Sequence, residues 1–296
     1  MARIAITGAS GFIGKRVCAG LAADGHRVTR LVRREAGEGE LSWDPAAGRL
    51  DAAKLAGVDA FIHLSGERIV GARWNESRKR EFLASRVESS RLVAETLARI
   101  RPRPALLCAS AYGFYGDRGS EWVDEASPIG SGFLADMCDR WERACDPARD
   151  AGVRVANLRI GLVLDRGDGM LALLNMPFRL GLGGRLGSGT QYMPWVTGAD
   201  LVAAVRHILV SPALVGPVNL VAPNPVPNAE FSRALGRVLR RPALLPVPAP
   251  LLRLALGEVA DEALLASARV RPAKLLASGF AFGDPEVEPA LRRLLS

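Results

Sequence analysis

The sequence predicts an α/β protein built on a doubly wound parallel sheet, with a smaller α+β part toward its carboxyl end. A short apolar strand, Arg3 to Thr7, runs directly into a glycine-spaced turn that opens a helix. Apolar runs and amphipathic helical patterns then alternate to about residue 160, which is typical of a parallel sheet covered on both faces. Beyond Asp165 this alternation is lost in Gly-rich and Pro-rich stretches. The first part therefore predicts a parallel sheet with helices on both faces.

The glycine-spaced turn comprises Gly8, Gly11 and Gly14. In such a turn the first glycine takes a positive φ, the second leaves room for a pyrophosphate, and the third lets the helix pack closely on the strand. The unpaired amides of the first helical turn then face the ligand's negative charge. Because a strand precedes the turn and an apolar helical stripe follows it, we predict a dinucleotide site rather than an ordinary tight turn.

The end of the second predicted strand indicates which dinucleotide is bound. Arg33 and Arg34 lie about 20 residues beyond the glycine turn, where an NAD-selective site would place a carboxylate for the ribose hydroxyls. Their planar cations suit a 2′-phosphate instead. We therefore predict NADP as the cofactor. Two alternatives remain open. The two arginines could reflect only the high arginine content of the chain, or the neighbouring Glu35 could supply a carboxylate for NAD.

Composition restricts the class of protein. With 296 residues, 49% of them hydrophobic, the chain can bury a full core. The net charge of +8 is scattered rather than gathered in a tail, so anionic small molecules are favoured over nucleic acid. The opening residues already form strand and turn, and no apolar run has spanning length, so we expect a cytoplasmic protein with no membrane partner. No metal site is expected, and the four cysteines are predicted to be free thiols, mostly buried: Cys18, Cys108, Cys138 and Cys145.

Apolar periodicity and helix breakers place the remaining elements. Strands are predicted at 26–34, 58–64, 105–109, 153–164 and 218–221, and helices at 75–100, 132–149 and 200–209. Asn228 is predicted to cap a further helix that carries Phe231, Leu235 and Leu239. We assign residues 1–165 to the cofactor domain and 166–296 mainly to a substrate or lid domain, with later segments free to rejoin the sheet.

Several segments together resemble the extended short-chain dehydrogenases/reductases over nearly the whole chain. These are the glycine turn, Leu64-Ser65-Gly66, the 110–116 segment, and the 194–201 segment beginning Pro-Trp-Val-Thr-Gly. The segments at 73–76, 133–135, 141–142, 177–184 and 228–231 are similar to an atypical "epimerase family" branch, whose members are described as nucleoside-diphosphate-sugar epimerases and whose C-terminal domain has no assigned role. This resemblance implies a Rossmann domain, NADP(H), and a substrate cleft roofed by the C-terminal part.

The resemblance also implies cofactor contacts, residue by residue. At the glycine turn they are Gly8, Gly11, Phe12, Ile13 and Gly14, and at the 2′-phosphate Arg33. Leu64 and Ser65 line the adenosine side, and the three further positions are Glu81, Arg86 and Val163. Two of the last three have ordinary alternatives. Arg86 could be a surface residue paired with Glu81 or Glu88, and Val163 could fill core.

The superfamily's usual Tyr-x-x-x-Lys pair is missing. The residues four beyond the three tyrosines are Gly116, Gly119 and Val196, and the helix that would carry the pair has Phe133 and Met137, or Leu134 and Cys138. That helix has an apolar face which predicts core packing. The remaining catalytic candidates are Ser110 and Tyr112, after the fourth predicted sheet strand, although either could simply line the pocket. In the second half, Arg185, Gln191, Met193 and Trp195 are candidate substrate-facing groups, with Trp195 favoured as a packing anchor.

Two functions remain open from the sequence. The first is an NADP(H)-dependent oxidoreductase or epimerase-like enzyme acting on a small molecule such as a nucleotide sugar. The second is a non-catalytic NADP(H)-binding sensor or regulatory protein, which the missing Tyr and Lys favour. The long helices predicted from Asn75 and from Gly132 pair across a dimer axis in many relatives, so a homodimer is expected, although their apolar stripes also fit packing within the chain.

Overall fold

The computed structural model describes residues 1–69 and 73–296. The strands are β1 (Arg3–Thr7), β2 (Arg27–Val32), β3 (Glu40–Ser42), β4 (Ala60–His63), β5 (Ala105–Ala111), β6 (Trp122–Val123), β7 (Val155–Ile160), β8 (Leu162–Leu164), β9 (Tyr192–Met193), β10 (Trp195–Thr197), β11 (Gly216–Leu220), β12 (Val226–Pro227) and β13 (Arg269–Val270). The α-helices are α1 (Phe12–Ala23), α2 (Glu76–Leu83), α3 (Ser89–Ala98), α4 (Phe133–Arg143), α5 (Asp146–Asp150), α6 (Gly169–Arg179), α7 (Gly198–Val210), α8 (Asn228–Leu239), α9 (Ala249–Leu256), α10 (Ala273–Ala277) and α11 (Val287–Leu295). None of these helices is both long enough and apolar enough to cross a lipid bilayer.

Seven strands form one sheet in the order β11-β7-β5-β4-β1-β2-β3, and every neighbouring pair is parallel. The chain runs from β1 outward through β2 and β3, then crosses to the other side of β1 through β4, β5 and β7. This arrangement confirms the predicted doubly wound parallel sheet. The direction reverses between β1 and β4, so the loops that follow these two strands diverge and leave a crevice at their carboxyl ends.

The central strands are apolar without alternation because helices cover both faces of the sheet. Ile4, Ile6, Phe61 and Ile62 are almost completely inaccessible to solvent. Helix α1 packs on α7, and α3 packs on α5. The thiols of Cys108, Cys138 and Cys145 are free and buried and that of Cys18 is free and partly buried, as predicted.

Three predicted elements are interrupted. The helix predicted at 75–100 consists of α2, a π-helical turn at Ala84–Glu88, and α3. The helix predicted at 132–149 divides into α4 and α5, and the strand predicted at 153–164 divides at Gly161 into β7 and β8. Strand β8 leaves the main sheet and pairs with β10. Of the three interruptions, the π-helical turn is the one that affects the site, because it lies beside the crevice.

The second half of the chain builds its own hydrophobic cluster and also returns to the main sheet. Phe178, Trp195, Phe231 and Leu235 lie at the centre of that cluster, where α8 packs on α11. Strand β11 completes one edge of the main sheet beside β7. Strand β13 pairs with β6, so the end of the chain is fastened to the segment that follows β5.

Candidate functional site

A cleft of about 770 Å³ opens at the carboxyl edge of β1, β2 and β4. Its lining includes the glycine turn, the end of β2 and the loop after β4. Five of the predicted cofactor residues meet there: Gly8, Gly11, Arg33, Leu64 and Ser65. The other predicted residues stand outside the cleft lining and are described below.

The glycine turn has little room for side chains. Gly8 has a φ of +70°, and a Cβ added to it would lie 2.7 Å from the backbone carbonyl of Leu64. A Cβ on Gly14 would lie 2.1 Å from the Gly8 carbonyl oxygen, so the first turn of α1 packs directly on the end of β1. Helix α1 begins after Gly11 with no side-chain cap and no acidic residue in its first turn. Its first amides are thus left for an anionic ligand at the helix N-terminus.

Phe12 and Ile13 contribute backbone rather than side chains to this turn. The ring of Phe12 lies beside Gly169, at the start of α6, and beneath the guanidinium of Arg16. Ile13 packs against the main core. Their amides belong to the first turn of α1, where backbone donors rather than side chains suit a pyrophosphate.

The two arginines after β2 have different surroundings. Arg34 forms a two-pronged ion pair with Glu40, at 2.7 and 2.9 Å, and Arg30 lies 3.2 Å from the same carboxylate. The Arg34 hydrogen bond and the backbone amide of Gly37 hold the pKa of Glu40 below its usual value. Arg33 has only a 3.9 Å approach to Glu67, and its side chain is 73% exposed. Of the two arginines, Arg33 is therefore the cation available to a ligand.

Arg86 lies in the π-helical turn behind the loop after β4. It is only 7% exposed, so the alternative that it is a surface residue is wrong. Its Nη2 donates to the Glu67 carbonyl at 2.7 Å, its guanidinium lies 5.1 Å from the Trp141 ring centroid, and its buried Nε has no partner among the described residues. Burial lowers the pKa of Arg86 to about 10, so it remains a cation at neutral pH.

Glu81 and Val163 do not line the cleft. Glu81 accepts from Arg78 at 3.1 Å, one turn earlier on α2. Val163 pairs with Val196 of β10 and is partly buried against the main core. This agrees with the alternative that Val163 fills the core.

Ser110 belongs to a buried polar network. It is 3% exposed, and its hydroxyl donates to Glu142 Oε1 at 2.7 Å. Arg159 donates to both oxygens of that carboxylate, at 2.8 and 2.9 Å, and to the Tyr115 hydroxyl at 3.0 Å. Tyr115 in turn donates to Asn219 Oδ1 at 2.7 Å. The network joins β5, α4, β7 and β11, and Ser110 keeps only acceptor capacity for anything above the sheet edge.

Tyr112 follows β5 and lies near α4. Burial raises the pKa of its hydroxyl to about 12, and burial also raises the pKa of the Cys138 thiol to about 12. Both groups are therefore protonated at neutral pH, and Tyr112 can donate a proton but is a poor base. Helix α4 presents no lysine to the site, as its sequence requires.

Three of the candidate substrate-facing groups are enclosed. Trp195 is fully buried and donates through Nε1 to the Asn224 carbonyl at 3.1 Å, which fits the packing anchor. Gln191 is buried and donates to two backbone carbonyls, and Met193 is buried in the second cluster. Arg185 remains at the surface beside α8.

Several cleft residues were missed from the sequence. Trp43, Pro45 and Ala46 form one wall after β3, and Lys15, Glu88 and Ser89 also contribute. Strand β3 has only three residues, too few for a periodic signal. Among these missed residues, only Lys15 had a signal in the sequence, because it directly follows Gly14 of the glycine turn.

Comparisons with known proteins cover nearly the whole chain. Residues 4–220 match the NAD dependent epimerase/dehydratase family, and residues 247–294 match a domain of unknown function, DUF1731. The chain is 42% identical over 289 residues to an epimerase family protein of Mycobacterium bovis, covering 97% of this chain and 96% of that protein.

Two solved structures are similar along its length. The human epimerase family protein SDR39U1 (isoform 2), solved with NADPH, superposes with a TM-score of 0.90 at 34% identity, over 99% of this chain and 98% of that one. A nucleoside-diphosphate sugar epimerase from Corynebacterium glutamicum superposes with a TM-score of 0.83 at 36% identity, over 99% of this chain and 58% of that one.

Proposed function

Because the chain belongs to the NAD dependent epimerase/dehydratase family, we propose that it is an NADP(H)-dependent oxidoreductase or epimerase-like enzyme. Its substrate in this proposal is a small carbonyl or polyol compound, with nucleotide sugars as the first class to test, since one similar structure is described as a nucleoside-diphosphate sugar epimerase. The single observation that supports the NADP form of the cofactor is Arg33, the available cation at the end of β2 in the same cleft as the glycine turn.

The residues of the cleft fit this cofactor. The amides at the start of α1 would hold the pyrophosphate, and the guanidinium of Arg33 would bind the 2′-phosphate. Glu40 is close to both Arg30 and Arg34, and because those arginines already occupy its carboxylate it is a poor partner for ribose hydroxyls. NADPH in the human relative is consistent with this fit. The bound nicotinamide would supply or accept the hydride.

Arg86 offers a second argument for a bound ligand. A buried donor without a partner is costly, and such donors are usually satisfied by water, an ion or a ligand. The Nε of Arg86 has no partner within the described part of the chain, and Gly66 and Ser85 beside it both line the cleft. We propose that the guanidinium of Arg86 binds the cofactor or the substrate. It would supply a positive charge in a protein that lacks the lysine of the Tyr-x-x-x-Lys pair.

The two halves of the chain take different roles in this proposal. Residues 1–165 hold the cofactor, and most of residues 166–296 form the substrate or lid part, while β11 and α7 return to the main sheet. Helix α6 begins against Phe12, and the end of α9 is held by Arg73 through the Ala255 carbonyl at 3.2 Å. These contacts support a position of the second part beside the cofactor-binding part.

Arg33→Ala is expected to raise the Kd for NADPH by about 10- to 100-fold, because a charge-assisted hydrogen bond to phosphate contributes about 1.5–3 kcal/mol. The Kd for NADH should change by less than about threefold, since NADH carries no 2′-phosphate. Fluorescence titration of reduced nicotinamide with the purified protein measures both. Arg34→Ala is the matched control, because Arg34 already pairs with Glu40. Equal losses for the two coenzymes would remove the 2′-phosphate assignment.

We propose Tyr112 as the proton donor of the enzyme, with Ser110 accepting a hydrogen bond from a substrate hydroxyl. Tyr112→Phe should lower kcat by about 10²- to 10⁴-fold, the usual contribution of a positioned general acid, while leaving the Kd for NADPH unchanged. The measurement is NADPH oxidation, followed by absorbance, against a panel of carbonyl compounds and nucleotide sugars. Turnover that survives the substitution would exclude Tyr112 from the chemistry.

The alternative is a non-catalytic NADP(H)-binding sensor or regulatory protein, favoured by the missing tyrosine–lysine pair and by the Ser110 hydroxyl already bound to Glu142. The same panel separates the two functions. Tight NADPH binding with no turnover across the panel would support the sensor.

A further inference from the structure

Two contiguous depressions run along one side of α8, far along the chain from the cofactor cleft. Their volumes are about 370 and 390 Å³, and they share the side chains of Arg233, Ala243 and Leu244. From Ala229 to Arg240 the wall formed by α8 is about 16 Å long, at about 1.5 Å per residue. We call this feature the α8 groove. It matches the length of about five residues of extended peptide.

Arginines dominate the α8 groove. Arg237 is paired with Glu288 on α11 at 2.6 Å. Within residues 1–69 and 73–296 four others that line it form no ion pair: Arg185, Arg233, Arg240 and Arg241. Arg241 donates only to the backbone carbonyl of Arg179, at 2.9 Å, which leaves its charge uncompensated. Four such cations around one groove favour an anionic occupant, and the planar guanidinium suits two-pronged recognition of a carboxylate.

The helix dipole explains only part of this cluster. Cations near a helix C-terminus are favourable, which accounts for Arg237 and Arg240. It does not account for Arg185, which lies outside the helix, or for Arg233 in its middle. Arg240 also occupies a left-handed conformation, with a φ of +54°, at the position after the helix where glycine is ordinarily preferred. A guanidinium at this site is therefore kept at the expense of backbone strain, which points to a use for the side chain.

The floor and rim of the α8 groove are aliphatic. Ala229, Ala243 and Pro246 line it, and Leu244 is 79% exposed at its shared wall. Leu245 and Leu182 are also exposed and adjoin it, since the Leu245 amide donates to the carbonyl of Gly183. A free phosphate would leave this aliphatic surface uncovered, whereas a peptide of about five residues is long enough to cover it. An extended chain with alternating acidic and aliphatic side chains satisfies both the charge and the apolar surface.

We propose that the α8 groove docks an acidic, leucine-bearing segment of a protein partner. Four arginines bind its carboxylates, and the aliphatic floor and Leu244 cover its apolar side chains. This surface is separate from the cofactor cleft and holds whether the chain is an enzyme or a sensor.

The test uses the full-length protein and a fluorescein-labelled hexapeptide of alternating glutamate and leucine, followed by fluorescence anisotropy. Binding should be saturable and should weaken as salt is raised. Arg233→Glu should weaken it by at least about tenfold, through lost attraction and added repulsion. Arg240→Gly is the sharper variant, because glycine relieves the left-handed strain. It should keep or raise Tm while weakening peptide binding by about three- to tenfold.

Matched controls decide the outcome. Arg91→Ala removes an exposed guanidinium from α3, away from the groove, and should leave binding unchanged. The proposal is overturned if the wild-type protein does not bind the peptide, if a lysine–leucine hexapeptide binds equally, or if both groove variants bind as tightly as the wild type. Co-sedimentation with phosphatidylserine vesicles in the absence of peptide binding would also overturn it in favour of a membrane surface.

Discussion

Glu142→Ala is expected to lower the free energy of unfolding by about 3–5 kcal/mol, the cost of leaving a buried charge without its partner. Glu142 accepts two hydrogen bonds from Arg159 and one from Ser110, and the side chain of Arg159 is almost completely buried. Among the described residues, alanine would leave that guanidinium only the Tyr115 hydroxyl as a hydrogen-bond partner, beside the ring of Phe114. Urea unfolding at neutral pH, followed by circular dichroism, measures the loss.

Asp139→Ala supplies the control on the same helix. Asp139 pairs with Arg143 one turn later at 2.9 Å, on the outer side of α4, where Arg143 is largely exposed. Exposed pairs of this kind contribute about 0–1 kcal/mol. If the two substitutions cost the same, the buried network does not stabilise the protein in the manner described.

Acid is expected to destabilise the protein through His63. This imidazole is buried at the end of β4, 2.7 Å from Thr7 Oγ1 and 3.0 Å from Ser89 Oγ, and desolvation lowers its pKa from 6.5 to about 3. Below pH 6.5 the His63 imidazole therefore binds a proton in the unfolded chain but stays neutral in the folded protein. Stability from this group is fully present above pH 6.5 and is lost as the pH falls toward 3. The loss is about 1.4 kcal/mol per pH unit, or roughly 5 kcal/mol over the whole range.

The useful window for this measurement is between about pH 7 and pH 5, where ordinary carboxylates titrate little. Urea midpoints should give a loss of about 2 kcal/mol by pH 5 in the wild-type protein. His63→Gln replaces the ring with an amide that does not titrate, so its stability should be nearly flat over the same window. An equally steep slope in the variant would show that another group causes the acid sensitivity.

The sequence was sufficient for the sheet and the glycine turn because both are local patterns. Strand β1, Gly8, Gly11 and Gly14 lie within a dozen residues, and the alternation of apolar runs and helical stripes predicts the parallel sheet. The resemblance to an epimerase family is confirmed by the matches at 4–220 and along the whole chain. The C-terminal half was less predictable, since its elements are short and its second cluster is assembled from distant segments.

The features that sequence reasoning missed depend on distant partners. Arg33 and Arg34 look alike in sequence, and only Glu40, brought alongside by β3, separates the available cation from the paired one. Ser110 meets its partner Glu142 across 32 residues. Asn228 was predicted to cap α8, and this was wrong: the cap position is Pro227.

Two of the differences from the predicted elements have the same origin. The side chain of Asn228 accepts from the amide of Leu186, 42 residues earlier in the chain, instead of from its own helix. The predicted helix at 75–100 is interrupted where Arg86 turns inward to the Glu67 carbonyl, a contact that helical periodicity does not contain.

Calorimetric titration of the wild-type protein with NADPH and, separately, with NADH tests the central claim most directly. The account predicts saturable uptake of one NADPH per chain, with a Kd at least about tenfold below that for NADH, because only NADPH engages Arg33. Folded protein that takes up neither coenzyme, or that binds both with equal affinity, would contradict it.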